Sequence, residues 1–412
     1  MKVEKFLWII ILFHFLSIKS FSISYIQFDS IALANVKQKL HNGTAAERTY
    51  SAYKTLISKA DELLSIKNPT VMDKTIIPPS GNKHDYLSIG RYWWPNPDIA
   101  DGLPWIRKDG KTNPDTQTDA VDRKRLSLMT NAIKYLCLAY YFSENEQYAK
   151  KAVSMIKTWF LDDETRMNPH LKFAQSVPGY PNGRPWGILD GRSIPQIIPD
   201  AINILSNSKY WNKDQNARMI KWLNDYLTWL TESELGKAEF KQKNNHGSWC
   251  KYQVISLALY LGHKTLAKEV IESTMQSLNE QLDHEGKQIH EINRTKSFFY
   301  SCFNLDALTQ IANLADKIGI DMWNYKTKDG KSLMLAVNYL APVIKGEAWP
   351  QPDIHGINLS SILASLVRMS NHINSNELEH LLSKTMTILI EKEKSTGIKN
   401  DKIQALSLIG AI

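Results

Sequence analysis

Along most of the chain, apolar residues return every three or four positions, the spacing that lays one face of an α-helix against a core. Between residues 31 and 66 the recurring set includes Ala45, Tyr50, Tyr53, Leu56, Ile57, Ala60, Leu63 and Leu64, which predicts an amphipathic opening helix or pair. Similar stretches, set off by caps and breakers, predict helices near 121–143, 146–160, 193–208, 212–233, 248–263, 265–283, 298–318, 331–342, 357–371, 376–392 and 401–411. Strand-like alternation is almost missing. Helices in even succession without a strict repeat imply an all-α chain of paired helices, wound into an incomplete (α/α) toroid or barrel rather than a solenoid.

Three segments break this pattern. Residues 69–114 carry prolines 69, 78, 79, 95, 97, 104 and 114 with glycines 81, 90, 102 and 110, too broken for a helix. A loop of this length in a compact protein usually serves function. It holds Tyr86, Tyr92, Trp93, Trp94, Trp105 and Arg107, and tryptophan offers a platform for the C–H face of a sugar ring. The second break, residues 173–192, contains Gln175, Arg184, Trp186 and Arg192, and the third contains Trp349 and His355. In a toroid these loops would gather at one rim.

The candidate chemistry lies in Asn244-Asn245-His246-Gly247-Ser248-Trp249 and in Arg294 to Tyr300. Amide side chains donate to carboxylate oxygens without a charge of their own, and an imidazole exchanges protons near neutral pH. Together they suit an acidic substrate that must lose a proton. A helix start explains the same Asn, Gly and Ser residues on local composition alone. Arg294 and Tyr300 add the cation and phenol that such a site needs.

Composition narrows the setting. The formal charge of the 412-residue chain is +8. Met1 to Lys5 is a short basic start, Phe6 to Ile18 is nearly all apolar, and small residues follow near Ser22, so residues 1–22 are expected to be a signal peptide. That leader holds three lysines and one glutamate, a net of +2, so its removal leaves +6. Residues 23–412 would then form a single domain, exported to the periplasm or secreted, with no membrane attachment once the leader is cut. Cys137, Cys250 and Cys302 lie in apolar helical patterns and are expected to be buried thiols. The lysines are scattered at helical spacing rather than clustered, which argues against nucleic acid and for an anionic polysaccharide. His263, His284 and His290 lack ligand spacing and are expected at the surface or at caps; no metal or other cofactor is implied. Monomer and dimer stay open.

The motifs Tyr86-Leu-Ser-Ile-Gly-Arg-Tyr-Trp-Trp-Pro-Asn-Pro97, Asp101 to Gly110 with Asn113-Pro114, Phe173-Ala-Gln175, Asn244-Asn-His-x-x-Trp249 and Arg294 with Tyr300 run in order across roughly residues 80–310. In that order they resemble the alginate lyase superfamily of polysaccharide lyases, the helical-toroid kind. Gly247 and Ser248 depart from it, standing where relatives often carry bulkier residues. The resemblance implies a proline-rich lid over a groove and cofactor-free β-elimination at a 4-linked uronic acid of alginate or glucuronan. By the same resemblance Asn245 and Arg294 would hold the C6 carboxylate, while His246 and Tyr300 would handle protons. Tyr86, Trp94, Arg107, Gln175, Trp186, Arg192, Asn244, Trp349 and His355 are the expected substrate-binding residues. A non-catalytic glycan-binding protein is the alternative, for which Tyr300 would be dispensable. A glycoside hydrolase would need two flanking carboxylates, and only Asp98, Asp101 and Asp190 are at hand.

Overall fold

The computed structural model describes residues 25–412 apart from 181 and 183, so the expected leader lies outside the described residues. Among these residues are fourteen α-helices. In chain order they are α1 (Ser30–His41), α2 (Glu47–Leu64), α3 (Arg123–Ser143), α4 (Glu146–Ile156), α5 (Ser193–Leu205), α6 (Lys213–Glu232) and α7 (Glu234–Phe240). The rest are α8 (Asn245–Tyr260), α9 (Lys264–Gln281), α10 (Ser297–Asp316), α11 (Leu333–Lys345), α12 (Ser360–His372), α13 (Asn376–Thr396) and α14 (Asp401–Leu408).

Burial divides the helices into two sorts. From Asn245 to Ala258 every residue of α8 except His246 is buried, and α10 is almost as enclosed. Helices without a polar face must have neighbours on all sides. By contrast α2 buries the stripe Ala52, Leu56 and Ala60, and α9 buries Ala267, Val270, Ile271, Thr274 and Leu278, the spacing of a one-sided helix. The enclosed helices form an inner arc, α3 on α5, α5 on α8, α8 on α10 and α10 on α12. Outside it, α4 backs α3, α9 backs α8 and α13 backs α12. Helix α14 packs on α2 at one end of the arc and on α12 at the other. This is the expected incomplete (α/α) toroid.

Helix α7, between the stretches expected at 212–233 and 248–263, was not expected, and most other helix limits follow the periodicity, with two informative exceptions. The stretch predicted as one helix over 146–160 leaves α geometry at Ile156 and continues as a wider π-type turn, Lys157–Leu161. The wider turn accompanies burial of three successive apolar residues, Trp159, Phe160 and Leu161. Helix α8 starts at Asn245, three residues before the apolar run, because Asn244 caps it. Cys137, Cys250 and Cys302 are buried free thiols, as expected. No helix among the described residues is long and apolar enough to cross a membrane.

The broken segments lie over the N-terminal ends of α3, α5, α8 and α10. They contain four short strands that the sequence pattern did not show. β1 (Leu87–Ile89) runs parallel to β4 (Phe173–Ser176), and β2 (Trp93–Trp94) pairs antiparallel with β3 (Ile106–Arg107). Strands of two to four residues are too short to register as alternation. Leu87, Ile89, Val121 and Phe173, with Trp105 against them, make a small second core under the lid. At its base, buried Lys74 meets Asp122 at 2.9 Å and donates to the Val71 and Lys83 carbonyls at 2.6 Å. Those bonds answer the ammonium's desolvation; burial still raises the Asp122 carboxyl to about 6.

Candidate active site

At the start of α8 the Asn244 side chain accepts from the His246 backbone N–H at 3.0 Å, an N-cap bond. The cap reading of the motif therefore holds for Asn244, which also lines the cleft. Gly247 is explained by close approach: a Cβ there would lie 1.9 Å from the Gln242 carbonyl oxygen. A bulkier residue could not fit this turn.

Behind the next two residues stand two carboxylates sealed from water. His246 Nδ1 lies 3.0 Å from Glu239 Oε1, on α7. An acceptor there fixes the proton of a neutral imidazole on Nδ1 and leaves Nε2 as the basic nitrogen. Burial raises the proton affinity of Glu239, and His246 opposes that rise. Asn245 donates through Nδ2 to both oxygens of Glu291, at 3.0 and 2.8 Å, and through its backbone N–H at 2.6 Å. Its Oδ1 is buried with no partner. Burial pushes the Glu291 carboxyl up to about 7 against the pull of Asn245, Arg294 and His246.

Opposite, the guanidinium carbon of Arg294 lies 3.7 Å from the centroid of the Tyr300 ring, over its electron-rich face. Arg294 Nη2 donates to Asp109 Oδ1 at 2.7 Å, and Nε reaches both Asp109 oxygens at 3.2 Å. Thr295 donates to the same carboxylate through its backbone N–H and hydroxyl, and Arg107 pairs with it at 2.7 Å. Asp109 thus ties the lid to the loop before α10 and is held well below the usual carboxylate range by Arg294 and these donors. The Tyr300 hydroxyl donates to the Tyr92 hydroxyl at 3.0 Å. Burial raises the Tyr300 phenol above its ordinary value, and Arg294 opposes this.

Asn245, His246, Tyr92 and Tyr300 face one cleft of about 280 Å³, into which Arg91, Arg107, Arg123, Arg184, Arg192 and Arg294 all come. Against six cations the lining holds one carboxylate, Asp190. Asp190 is enclosed by Tyr86 at 3.1 Å, Ser88 at 2.6 Å, Gln175 at 2.9 Å and Arg123 at 2.9 Å. Arg123 and these donors keep it ionised. Its oxygens are committed to this network, and Asp98 and Asp101 lie outside the lining, so no carboxylate pair flanks the cleft. Arg184 sits 5.3 Å from both the Trp93 and Trp186 rings, and burial lowers its pKa to about 10. Arg192 lies over Trp249 and Phe303 at 5.7 and 5.4 Å.

Of the residues expected at the site, the fold brings together Asn244, Asn245, His246, Arg294, Tyr300, Arg107, Gln175, Trp186 and Arg192. Tyr86 is fully buried and reaches the cleft only through Asp190. Trp94, Trp349 and His355 lie outside the lining. Trp94 donates to the Lys111 carbonyl, and its strand neighbour Trp93 faces the cleft instead, since successive strand residues point to opposite faces. Trp349 packs on Phe298 and Tyr339 and donates to Ser297. His290, expected only at the surface or a cap, is exposed and lines the cleft. Tyr92 and Arg123, which line the cleft, and Asp109, Glu239 and Glu291, which stand behind it, went unmarked as site residues, because their partners lie on other elements.

The cleft is cationic and holds an imidazole and a phenol together, a lining suited to an anionic substrate, and the comparisons agree with that class. The family described as alginate lyase matches residues 70–349, and the chain belongs to that family. A solved alginate lyase from Bacteroides ovatus is 34% identical over 94% of this chain and 99% of its own, with a TM-score of 0.85. Alginate lyase A1-III from Sphingomonas species A1 is 17% identical over 84% of this chain and 88% of its own, with a TM-score of 0.51. A histidine-to-alanine variant of A1-III complexed with a tetrasaccharide gives 0.53 at the same identity and coverage. Those two share the fold. A search of curated proteins finds no match.

Proposed function

We propose that this protein is a polysaccharide lyase that cuts a 4-linked polyuronate, alginate or glucuronan, by β-elimination in the cleft between α8, α10 and the lid. The observation that carries the reading is the convergence of His246, Tyr300 and Arg294 on a cleft lined by six guanidiniums. The reaction needs the C6 carboxylate neutralised so that C5–H becomes acidic, a base for that proton, and an acid for O4 as the C4–O4 bond breaks. Arg294 and the neighbouring arginines supply positive charge, and Asn245 is the uncharged donor for the carboxylate.

In its neutral form His246 presents an unprotonated Nε2, because the Glu239 carboxylate accepts from the other nitrogen, and Nε2 takes the C5 proton. Glu239 then stabilises the imidazolium. The buried Tyr300 phenol arrives protonated and gives its proton to O4, and Arg294 over its ring stabilises the phenolate left behind. Two residues serve a ring whose C5–H and C4–O bonds lie on opposite faces. For the same-face arrangement, Tyr300 as phenolate would take the C5 proton and return it to O4. Trp93 and Trp186, with Arg184 between them, form a platform for sugar units beyond the scissile bond. A periplasmic or secreted location goes with this reading, supported by the basic and then apolar start of the sequence.

The test is to incubate the purified protein separately with polymannuronate, polyguluronate and glucuronan, following the ultraviolet absorbance of the new C4–C5 double bond. Absorbance should rise on at least one polymer. A flat trace on all three would overturn the reading.

A further inference from the structure

The resting direction of the Asn245 amide is wrong for the part assigned to it. Its Nδ2 is spent on the Glu291 carboxylate, and the corner left over is Oδ1, buried and unpartnered in a residue that lines the cleft. An acceptor oxygen repels a substrate carboxylate, whereas the reaction needs a donor. While Glu291 is ionised it can only accept, so turning the amide would set Oδ1 against two carboxylate oxygens. A protonated Glu291 could donate to Oδ1 and still accept from the Asn245 backbone N–H.

We infer that Glu291 is a positioning residue: on substrate binding it takes up one proton from solvent, donates it in a hydrogen bond to Asn245 Oδ1, and so turns the Asn245 NH₂ toward the substrate carboxylate. The inference rests on the proposed role of Asn245 in the lyase site. No covalent bond changes apart from the new O–H on Glu291.

The surroundings favour this step. Glu291 is 1% exposed, so its charge is poorly hydrated, and its carboxyl already titrates at about 7. The titratable groups facing it are His246 from α8 and Arg294 from its own segment, and both favour the ionised form. Arg294 is itself held by Asp109 of the lid. A uronate carboxylate entering the cleft would compete for the same cations and add a like charge, which raises the proton affinity of Glu291 further. The sign follows: the binding-competent form is protonated, so affinity is level below about pH 7 and weakens above it, up to about tenfold per pH unit.

Calorimetry tests this on full-length Tyr300→Phe, which should bind without turnover. An oligouronate of the polymer that the wild type cuts is titrated in at pH 8 in phosphate, HEPES and Tris. The dependence of the heat on buffer ionisation should give uptake of close to one proton per site, falling to about half at pH 7, as a carboxyl titrating near 7 requires. Uptake should vanish in Tyr300→Phe/Glu291→Gln, because the amide that replaces the carboxyl can donate to Oδ1 at any pH; it should persist in Tyr300→Phe/His246→Ala, which separates Glu291 from the imidazole. In the otherwise wild-type enzyme, KM should rise with pH above 7, and in Glu291→Gln it should stay level. Binding without buffer dependence, or uptake that survives Glu291→Gln, overturns the inference and leaves the lyase reading intact. A wild type that neither binds nor cuts any polyuronate overturns both.

Discussion

On the α8 side of the cleft, Asn245 and His246 are each backed by a carboxylate that water does not reach, Glu291 and Glu239. On the lid side, Trp93 and Arg107 stand in a two-residue strand pair, with Arg107 exposed and paired to Asp109. Both walls present polar groups to the same substrate, yet they differ in how firmly those groups are held. A carboxylate sealed from water holds the donor it accepts from for as long as it stays ionised, since breaking that bond leaves an unpaired charge in low dielectric. An exposed ion pair contributes little and can re-form around a ligand. On the proposed lyase reading, the α8 wall and the Arg294–Tyr300 pair facing it serve the chemistry, and the lid serves grip. Asp109 crosses the division, because it belongs to the lid and yet orients Arg294 185 positions along the chain.

The sharpest way to break this comparison is at the phenol. Tyr300→Phe keeps the ring under Arg294 and removes the proton donor, so kcat should fall by about 10³-fold or more while oligouronate binding persists. Near-normal turnover on every polyuronate would make the hydroxyl structural. Next comes the support of the base. Glu239→Gln keeps the shape but removes the charge that stabilises the His246 imidazolium, so kcat should drop on the order of a hundredfold with KM nearly unchanged. A rise in KM alone would place His246 in binding rather than proton transfer.

Asp109 tests whether the lid does more than grip. Asp109→Ala frees Arg294 from the orientation that three hydrogen bonds now fix, and kcat/KM should fall roughly tenfold to a hundredfold through misplacement of the cation. If only KM moves, and no more than in lid variants, Asp109 belongs to the grip. The smallest expected effect separates two adjacent tryptophans. Trp93→Ala should raise KM several-fold with kcat nearly unchanged, whereas Trp94→Ala, outside the lining, should leave steady-state kinetics close to wild type. Equal effects from the pair would mean that the lid repacks when it meets the polymer.

The arc of helices was legible in the sequence because apolar periodicity is local: each helix declares its buried face within a few turns, as α2 and α9 do. The enclosed helices α8 and α10 also showed as helices, although the sequence held no sign of which neighbour they would meet. The candidate chemistry was legible as residue types, with Asn245, His246, Arg294 and Tyr300 marked by their motifs and all brought to one cleft. Their partners were not. The contacts of His246 with Glu239, Asn245 with Glu291, Arg294 with Asp109 and Tyr300 with Tyr92 join different elements, the last across 208 positions. A hydrogen bond depends on a few tenths of an ångström and on direction, quantities set by packing between elements and by no local pattern. Likewise the choice of Trp93 over Trp94 came from a strand pairing too short to leave a period. The sequence by itself determined most of the helices, the positive surplus and the kinds of reactive side chain; tertiary structure decided which carboxylate meets His246 Nδ1 and where the Asn245 amide points, because only packing brings in the buried carboxylates that hold them.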